Sequence, residues 1–307
     1  MGLFDKIKDT VFYKDSSEAE RHLEELLRFR ESAPPALQTE MDRELRLLEA
    51  GVFGEKQVRF ELRNSHIPML VLQDLRFEFD GRTAQIDYLI LTRKLNYVVE
   101  CKHLYGDIEI TQNGDFVRTM QFGNEKKREG LYSPITQNRR HLELIRAMRS
   151  AEKNLLMRAL FEKFFYHRYR SVVVLSNPKT ILNARYAPKE VRDQVIRADQ
   201  LAEFIRKLDA SIPKDETKSE SDMLELAKYF RSKHKPQYLD ITAPYRKRLE
   251  ELPNSAEMPV EAPVVQVLCP KCGAKMIRRR ATKGERAGKE FFGCSRYPHC
   301  RGIVNVE

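Results

Sequence analysis

The chain has 307 residues, 41% of them hydrophobic and 33% charged, and a net charge of +10. That apolar share is enough for a packed core, so global disorder is excluded as an expectation. No apolar run approaches the roughly 20 residues that cross a bilayer, and the opening MGLFDKIKDTVFYKD has charges where a secretory signal needs an apolar stretch. Position six is Lys, not the Ser or Thr of a myristoylation signal. The expectation is a soluble, cytoplasmic protein with no membrane partner. A short apolar start (Leu3, Phe4, Ile7) offers a membrane-surface alternative, though such residues more often dock on the body of a fold.

Residues 17–30 read as a charged helix with Leu23, Leu26 and Leu27 inward and Ser16 or Ser17 as N-cap. Pro34 and Pro35 end it, and a second helix spans 37–62 with interruptions at Gly51 and Gly54. Short β-type runs follow at 69–75, 85–92, 97–103, 107–111 and 116–120. Helical spacing returns at 134–148 and 155–167. The run 171–175 (SVVVL) is fully apolar and reads as a buried central strand, and 200–208 as a closing helix. Six prolines between 213 and 263 and one helix at 223–230 mark a linker with little core of its own. The predicted layout is a helical region (1–45), an α/β domain (46–210), a linker with a short helix (211–263) and a terminal module (264–307).

That module concentrates charge and sulfur. From Lys271 onward ten bases face three acids, a net +7, which leaves +3 for everything before it. Such a surplus suits nucleic acid, or is a solvated basic tail. Four of the five cysteines (Cys269, Cys272, Cys294, Cys300) crowd into the same stretch, and without a signal peptide that favours a metal over disulfides.

Two features earlier in the chain bear on chemistry. With about 100° per helical residue, Val52, Glu55 and Leu62 all fall within about 40° of Leu48, so Glu55 sits mid-stripe on an apolar face. A carboxylate there needs a cation, a metal or a strong donor; it could equally cap or salt-bridge the helix near Gly54. Further on, an even loop centred between Lys94 and Leu95 would set Asp87 opposite Lys102 and diagonal to Glu100, all on one sheet face, with Cys101 pointing away. Two carboxylates suit a hard cation such as Mg²⁺ or Mn²⁺, which activates water and offsets charge at phosphorus, while the lysine adds transition-state charge. The alternative is a structural Asp–Lys cross-strand pair beside an edge Glu.

Gly54-Glu55, Gln85-Ile86-Asp87, Val99-Glu100-Cys101-Lys102, Tyr105-Gly106 and Ser133-Pro134 with Gln137-Asn138 together resemble the nuclease-related domain (NERD) of the PD-(D/E)xK nuclease superfamily, over roughly 50–208. The resemblance implies a restriction-endonuclease-like mixed sheet flanked by helices and a Mg²⁺-dependent deoxyribonuclease activity. It implies Asp87 and Glu100 as metal ligands, Lys102 as catalytic lysine, and Glu55 and Gln137 as supporting polar residues. A fold that has lost activity and serves as a DNA-binding scaffold or repair-complex module is the other function class. His103 directly after Lys102 departs from the family pattern.

In the terminal module, Cys269-Pro270-Lys271-Cys272-Gly273 is a zinc knuckle; after 21 intervening residues come Cys294 and Cys300, with five residues between them. Four thiolates suit a closed tetrahedral Zn²⁺ site that supplies much of a small module's folding energy; by position alone His299 could replace one cysteine. The wording from CPKCG to Lys289-Glu290-Phe291-Phe292-Gly293-Cys294-Ser295-Arg296-Tyr297-Pro298-His299-Cys300 is similar to the zinc ribbons of bacterial type IA topoisomerases, which implies single-stranded DNA as partner. The candidate contacts are Arg278, Arg279, Arg280, Lys289 and Arg296 for phosphates and Phe292 and Tyr297 for base stacking. At least one phenylalanine is expected in the ribbon's core.

Overall fold

The computed structural model describes residues 7–251, 267–281 and 289–305. The chain divides into two compact units, Met1–Leu249 and Glu250–Glu307. The first opens with strand β1 (Thr10–Lys14) and helices α1 (Glu18–Ser32) and α2 (Pro35–Arg63). Ser17 caps α1 by accepting the Glu20 amide. Leu26 is fully buried and Leu23 partly so, but Leu27 is 40% exposed, because α1 packs on one side only, against α2. Of the apolar start, Ile7 is buried in the core and donates its amide to Glu220, while Leu3 and Phe4 lie outside the described residues.

Helix α2 runs unbroken through both of its glycines for 29 residues. Gly54 is not an interruption: a Cβ there would lie 2.6 Å from Ser176 Oγ and 2.8 Å from His103 Cβ. Its missing side chain lets α2 press onto the ends of neighbouring strands, and Glu55 is carried there with it.

The middle of the unit comprises β2 (Met69–Phe79), β3 (Arg82–Thr92), β4 (Asn96–Lys102), β5 (Asp107–Ile110), β6 (Phe116–Phe122) and β7 (Glu125–Leu131). Next come α3 (Pro134–Ala151), α4 (Leu155–Arg168), β8 (Tyr169–Leu175), β9 (Leu182–Asn183), α5 (Lys189–Arg192), β10 (Val195–Arg197), α6 (Leu201–Ala210), α7 (Glu220–Lys233) and α8 (Ala243–Glu251). The main sheet has order β1-β2-β3-β4-β8-β10. Its β2–β3–β4 meander is antiparallel, whereas β1–β2, β4–β8 and β8–β10 are parallel. Strand β8 thus has parallel neighbours on both sides, and Val172–Leu175 are buried, as a continuous apolar run requires. A second sheet, β7-β6-β5-β9, continues from the end of β4.

Helices cover both faces of the main sheet. On one, Leu142, Ile145 and Met148 of α3 meet Leu72, Leu89, Leu91 and Val98. On the other, Val58 and Leu62 of α2 and Leu201 and Ile205 of α6 meet Val71, Ile90, Tyr97 and Val99. The mixed α/β architecture is the one expected.

Within the predicted linker, the described residues 211–251 differ from the expectation. Met223, Ala227 and Phe230 of α7 are fully buried under the sheet, with Phe230 5.8 Å from the ring of Phe77. Tyr245 of α8 joins the α1–α2 cluster. The prolines flank helices here: Pro236 follows α7 and Pro244 lies in the first turn of α8, where a missing N–H costs nothing. Residues 252–263 lie outside the described residues. A buried aromatic of this kind predicts that Phe230→Ala lowers stability by about 3–5 kcal/mol in urea titration. A free linker would leave the midpoint where it was.

Candidate active site and zinc centre

The hairpin between β3 and β4 closes with the Thr92 amide on Leu95 O at 3.0 Å, so the turn is the two residues Arg93 and Lys94. The pairs run from Leu91↔Asn96 to Tyr88↔Val99. The expected four-residue loop is therefore wrong by one pair: continuing the observed register sets Asp87 opposite Glu100, not Lys102. Both loops are even, so parity holds and Glu100 and Lys102 share the α3 face; in β3 the alternation breaks at Asp87, since Ile86 packs in the same core as Leu89. Regular pairing stops at Tyr88↔Val99. There the strands part, and Asp87 Oδ2 accepts the Cys101 amide at 2.7 Å.

Helix α3 supplies the wall facing these groups. Ser133 caps it by accepting the Thr136 amide, and Pro134 starts it. Asn138 fastens the helix to the sheet, with its amide donating to Val98 O (2.8 Å), Ser171 Oγ (3.0 Å) and Val172 O (3.2 Å). On the adjoining positions Gln137 and His141 lie one turn apart. Lys102 Nζ donates to Gln137 Oε1 at 3.1 Å and is 2.7 Å from Glu100 Oε1. Glu100 is 2% exposed. Its Oε2 faces His141 Nδ1 at 3.6 Å, and both atoms are buried without a hydrogen-bond partner.

Glu55 comes from α2 on the other side of the parted strands. Its Oε2 accepts from Ser17 Oγ (2.9 Å) and Gln73 Nε2 (3.1 Å), and its main-chain oxygen accepts from the Tyr88 hydroxyl (2.8 Å). Burial raises the pKa of Glu55, Asp87 and Glu100 alike. Asp87 is pushed well above the carboxylate range, by burial first and then by the charges of Glu100 and Glu55. His141 is pushed down to about 4 by burial and then by Lys102, so it is neutral at ordinary pH. Asp87, Glu100, Lys102 and Gln137 thus form one cluster, with Glu55 coupled to it through Asp87. Sequence reasoning missed His141, Ser17, Gln73 and Tyr88. The four-residue step from Gln137 to His141 was a usable signal; the other three depend on tertiary packing.

The fit of a divalent cation rests on the donor set. Glu100 Oε2 is an orphaned buried acceptor, and Asp87 is a carboxylate whose charge is opposed by two others. A pair of oxygen ligands short of positive charge suits Mg²⁺ or Mn²⁺, which need only one or two carboxylates and keep waters for a phosphate.

The second unit holds β11 (Met276–Arg280), β12 (Glu290–Cys294) and β13 (Ile303–Asn305) in one antiparallel sheet. The sulfurs of Cys269, Cys272, Cys294 and Cys300 all lie within 4.8 Å of one another. Cys269–Cys300 at 3.7 Å and Cys272–Cys294 at 3.5 Å are close to the roughly 3.8 Å edge of a tetrahedron with about 2.3 Å Zn–S bonds. The Lys271 and Cys272 amides face Cys269 and hold its pKa to about 7, Lys271 foremost. A Cβ on Gly302 would sit 2.2 Å from Cys269 Sγ, so only glycine fits against the sulfurs. The cluster supports zinc in the ribbon.

The sheet divides the predicted DNA contacts between its faces. Arg279 pairs with Phe291 and lies over the Tyr297 ring at 6.0 Å; Arg278 pairs with Phe292 on the opposite face and bonds Glu290 at 2.5 Å. Arg280 shares the second face. Arg278, Arg279, Arg280, Lys289 and Arg296 are exposed, as is Tyr297, while both phenylalanines are half-buried. Phe291 lies opposite Arg279 across the β11–β12 pair.

Residues 50–176 match the family described as the nuclease-related domain, and residues 266–307 match the topoisomerase DNA binding C4 zinc finger. No curated protein and no solved structure matches the chain.

The raised carboxylates set a pH dependence. Below about pH 4 folded and unfolded chains both hold these protons; as pH rises the unfolded chain loses them first, so metal-free stability falls. Asp87→Asn removes the largest contributor. Its metal-free melting temperature should exceed the parent's, by a margin that widens as pH rises from about 4 towards neutrality. A margin that shrinks over that range would contradict the electrostatics described.

Proposed function

We propose that this chain, a nuclease-related domain joined to a topoisomerase-type zinc ribbon, is a divalent-metal-dependent deoxyribonuclease that hydrolyses phosphodiester bonds and holds single-stranded DNA through its ribbon. The observation that carries the reading is the end of β3–β4, where the Asp87 and Glu100 carboxylates are crowded together away from water and the Lys102 ammonium is bonded to Glu100.

Asp87 and Glu100 are the residues that would hold Mg²⁺ or Mn²⁺, which when bound makes a water more acidic and offsets charge at the scissile phosphate. The chain's own groups do the rest. Gln137 Oε1 and Glu100 Oε1 fix the Lys102 ammonium between them, so its charge faces the phosphate without a reorganisation cost. The Cys101 amide orients Asp87. Ser17 and Gln73 orient Glu55, whose charge keeps Asp87 dependent on a cation. In the ribbon, Arg279, Phe291 and Tyr297 offer a stacking and phosphate-binding face. Cytoplasmic DNA is the proposed substrate.

The test is cleavage of linear, circular and single-stranded DNA with and without Mg²⁺ or Mn²⁺. Asp87→Ala and Glu100→Ala should lose cleavage while staying folded, and Lys102→Ala should keep metal binding but lose turnover. Equal cleavage by parent and all three variants would end the nuclease reading. DNA binding with no cleavage by the parent would leave the scaffold function.

The ribbon is tested separately. Cys269→Ser or removal of residues 264–307 should release zinc, weaken single-stranded DNA binding and flatten its salt dependence, since fewer counterions are displaced. Turnover at saturating DNA should persist. An unchanged affinity and salt slope would remove DNA from the ribbon's role.

A further inference from the structure

The end of β4 remote from Glu100 and Lys102 borders an open cavity of about 550 Å³, closed by α7 against α3 and α4. Helix α7 and the residues leading into it lie outside the stretch that matches the nuclease-related domain. Arg149, Arg168 and Lys218 line the cavity, together with the rings of Phe161, Tyr169 and Tyr229. Two acids, Asp222 and Glu225, border it as well, but both are exposed, and Asp222 is engaged in capping α7 through Ser219.

The bonding of these cations leaves them short of negative charge. Arg149 donates to the Tyr169 hydroxyl at 2.6 Å and lies over the rings of Phe161 and Tyr229 at 5.2 and 5.4 Å. Lys218 Nζ donates to Asn96 Oδ1 at 2.6 Å and Leu95 O at 3.4 Å. All of these partners are neutral. Arg168 shares Glu216 with His167. Burial, and after it the charge of Arg168, push Lys218 down to about 7 although Asp209 and Asp222 oppose the shift, the response of a buried ammonium whose nearby acids do not outweigh desolvation and like charge. The Tyr229 hydroxyl is buried with no well-formed hydrogen bond; burial first, and then the nearby Glu152 carboxylate, raise its pKa, but Glu152 is taken by Lys233 at 2.7 Å.

We infer that this cavity binds a small phosphorylated ligand, with Lys218, Arg149 and the Tyr229 hydroxyl taking the phosphate. A phosphate group brings several acceptor oxygens and up to two negative charges, which is what an unpaired hydroxyl donor and two neutrally bonded cations lack. The cavity is larger than inorganic phosphate requires, and the aromatic wall leaves room for a sugar or base. Because the site uses none of Asp87, Glu100 or Lys102, it stands or falls independently of the nuclease reading.

The experiment is calorimetric titration of the full chain with inorganic phosphate and, separately, with 2′-deoxyadenosine 5′-monophosphate, without divalent cations so that the carboxylate site contributes no phosphate binding. Saturable binding is expected, weakened about tenfold or more by Lys218→Met and by a smaller factor by Tyr229→Phe, which removes only the unpartnered hydroxyl. Lys214→Met, an exposed neighbour outside the cavity, should bind like the parent. Equal affinities for the two ligands would identify the phosphate group as the whole determinant, and tighter binding of the nucleotide would add its sugar and base. The absence of saturable binding to either, or binding unchanged in both Lys218→Met and Tyr229→Phe, overturns the inference.

Discussion

Asp87 and Glu100 are held where β3 and β4 part, and the cost of burying two carboxylates together governs the rest of the site. One ammonium, Lys102, bonds Glu100, and one amide, that of Cys101, bonds Asp87. The remaining negative charge has no partner among the described residues, so protonation rises at Asp87 and Glu100 Oε2 stays orphaned. Such an arrangement persists only because the surrounding structure is secured elsewhere. The securing elements are visible: Asn138 bonds α3 to two strands, and Tyr88 bonds the α2 main chain at Glu55.

Helix α2 converts that local constraint into an architectural one. It must reach from the α1 cluster across to the sheet end while delivering Glu55, and a single helix of 29 residues does so. A β-carbon at position 54 would collide with Ser176 and His103. Glycine's usual weakness in a helix interior is therefore outweighed by packing along the rest of α2. The same residue looks like a break in the sequence because propensity is local and close approach is not.

The face shared by Glu100 and Lys102 was legible because side-chain alternation depends on loop parity alone, and Asp87 joins them through its charge contact with both. The pairing itself was not, since Leu95 could be assigned to the turn or the strand, and Thr92 N–Leu95 O decides it. Strand β7 (EKKREGL) escaped notice because it is an exposed edge with no apolar alternation; its partner β6 supplies the order. Helix α7 was found, but its proline-rich surroundings suggested a linker. The spacing of Met223, Leu226, Ala227 and Phe230, a stripe at helical period, carried the contrary information. His141 was legible only as a position one turn after Gln137 on the same helix face; its role depends on the sheet bringing the Glu100 carboxylate opposite.

The ribbon's four cysteines and the proposed cation site at the strand ends use opposite logic within one chain. In the ribbon, four sulfurs already stand near tetrahedral spacing, and Gly302 closes over Cys269 so tightly that no side chain fits. Nothing is left open for a substrate, so an ion there can serve only to fold the module. At the strand ends, Asp87 and Glu100 would supply oxygen ligands to a divalent cation, which keeps waters for a phosphate, while Gln137 and Glu100 hold the lysine. A closed sulfur site with aromatic and basic residues on its sheet can hold DNA without reacting with it. An open oxygen site with a fixed ammonium has the groups for reaction but few surfaces for grip. The division between units lets each requirement be met without compromising the other, which is the physical case for finding both in a single chain.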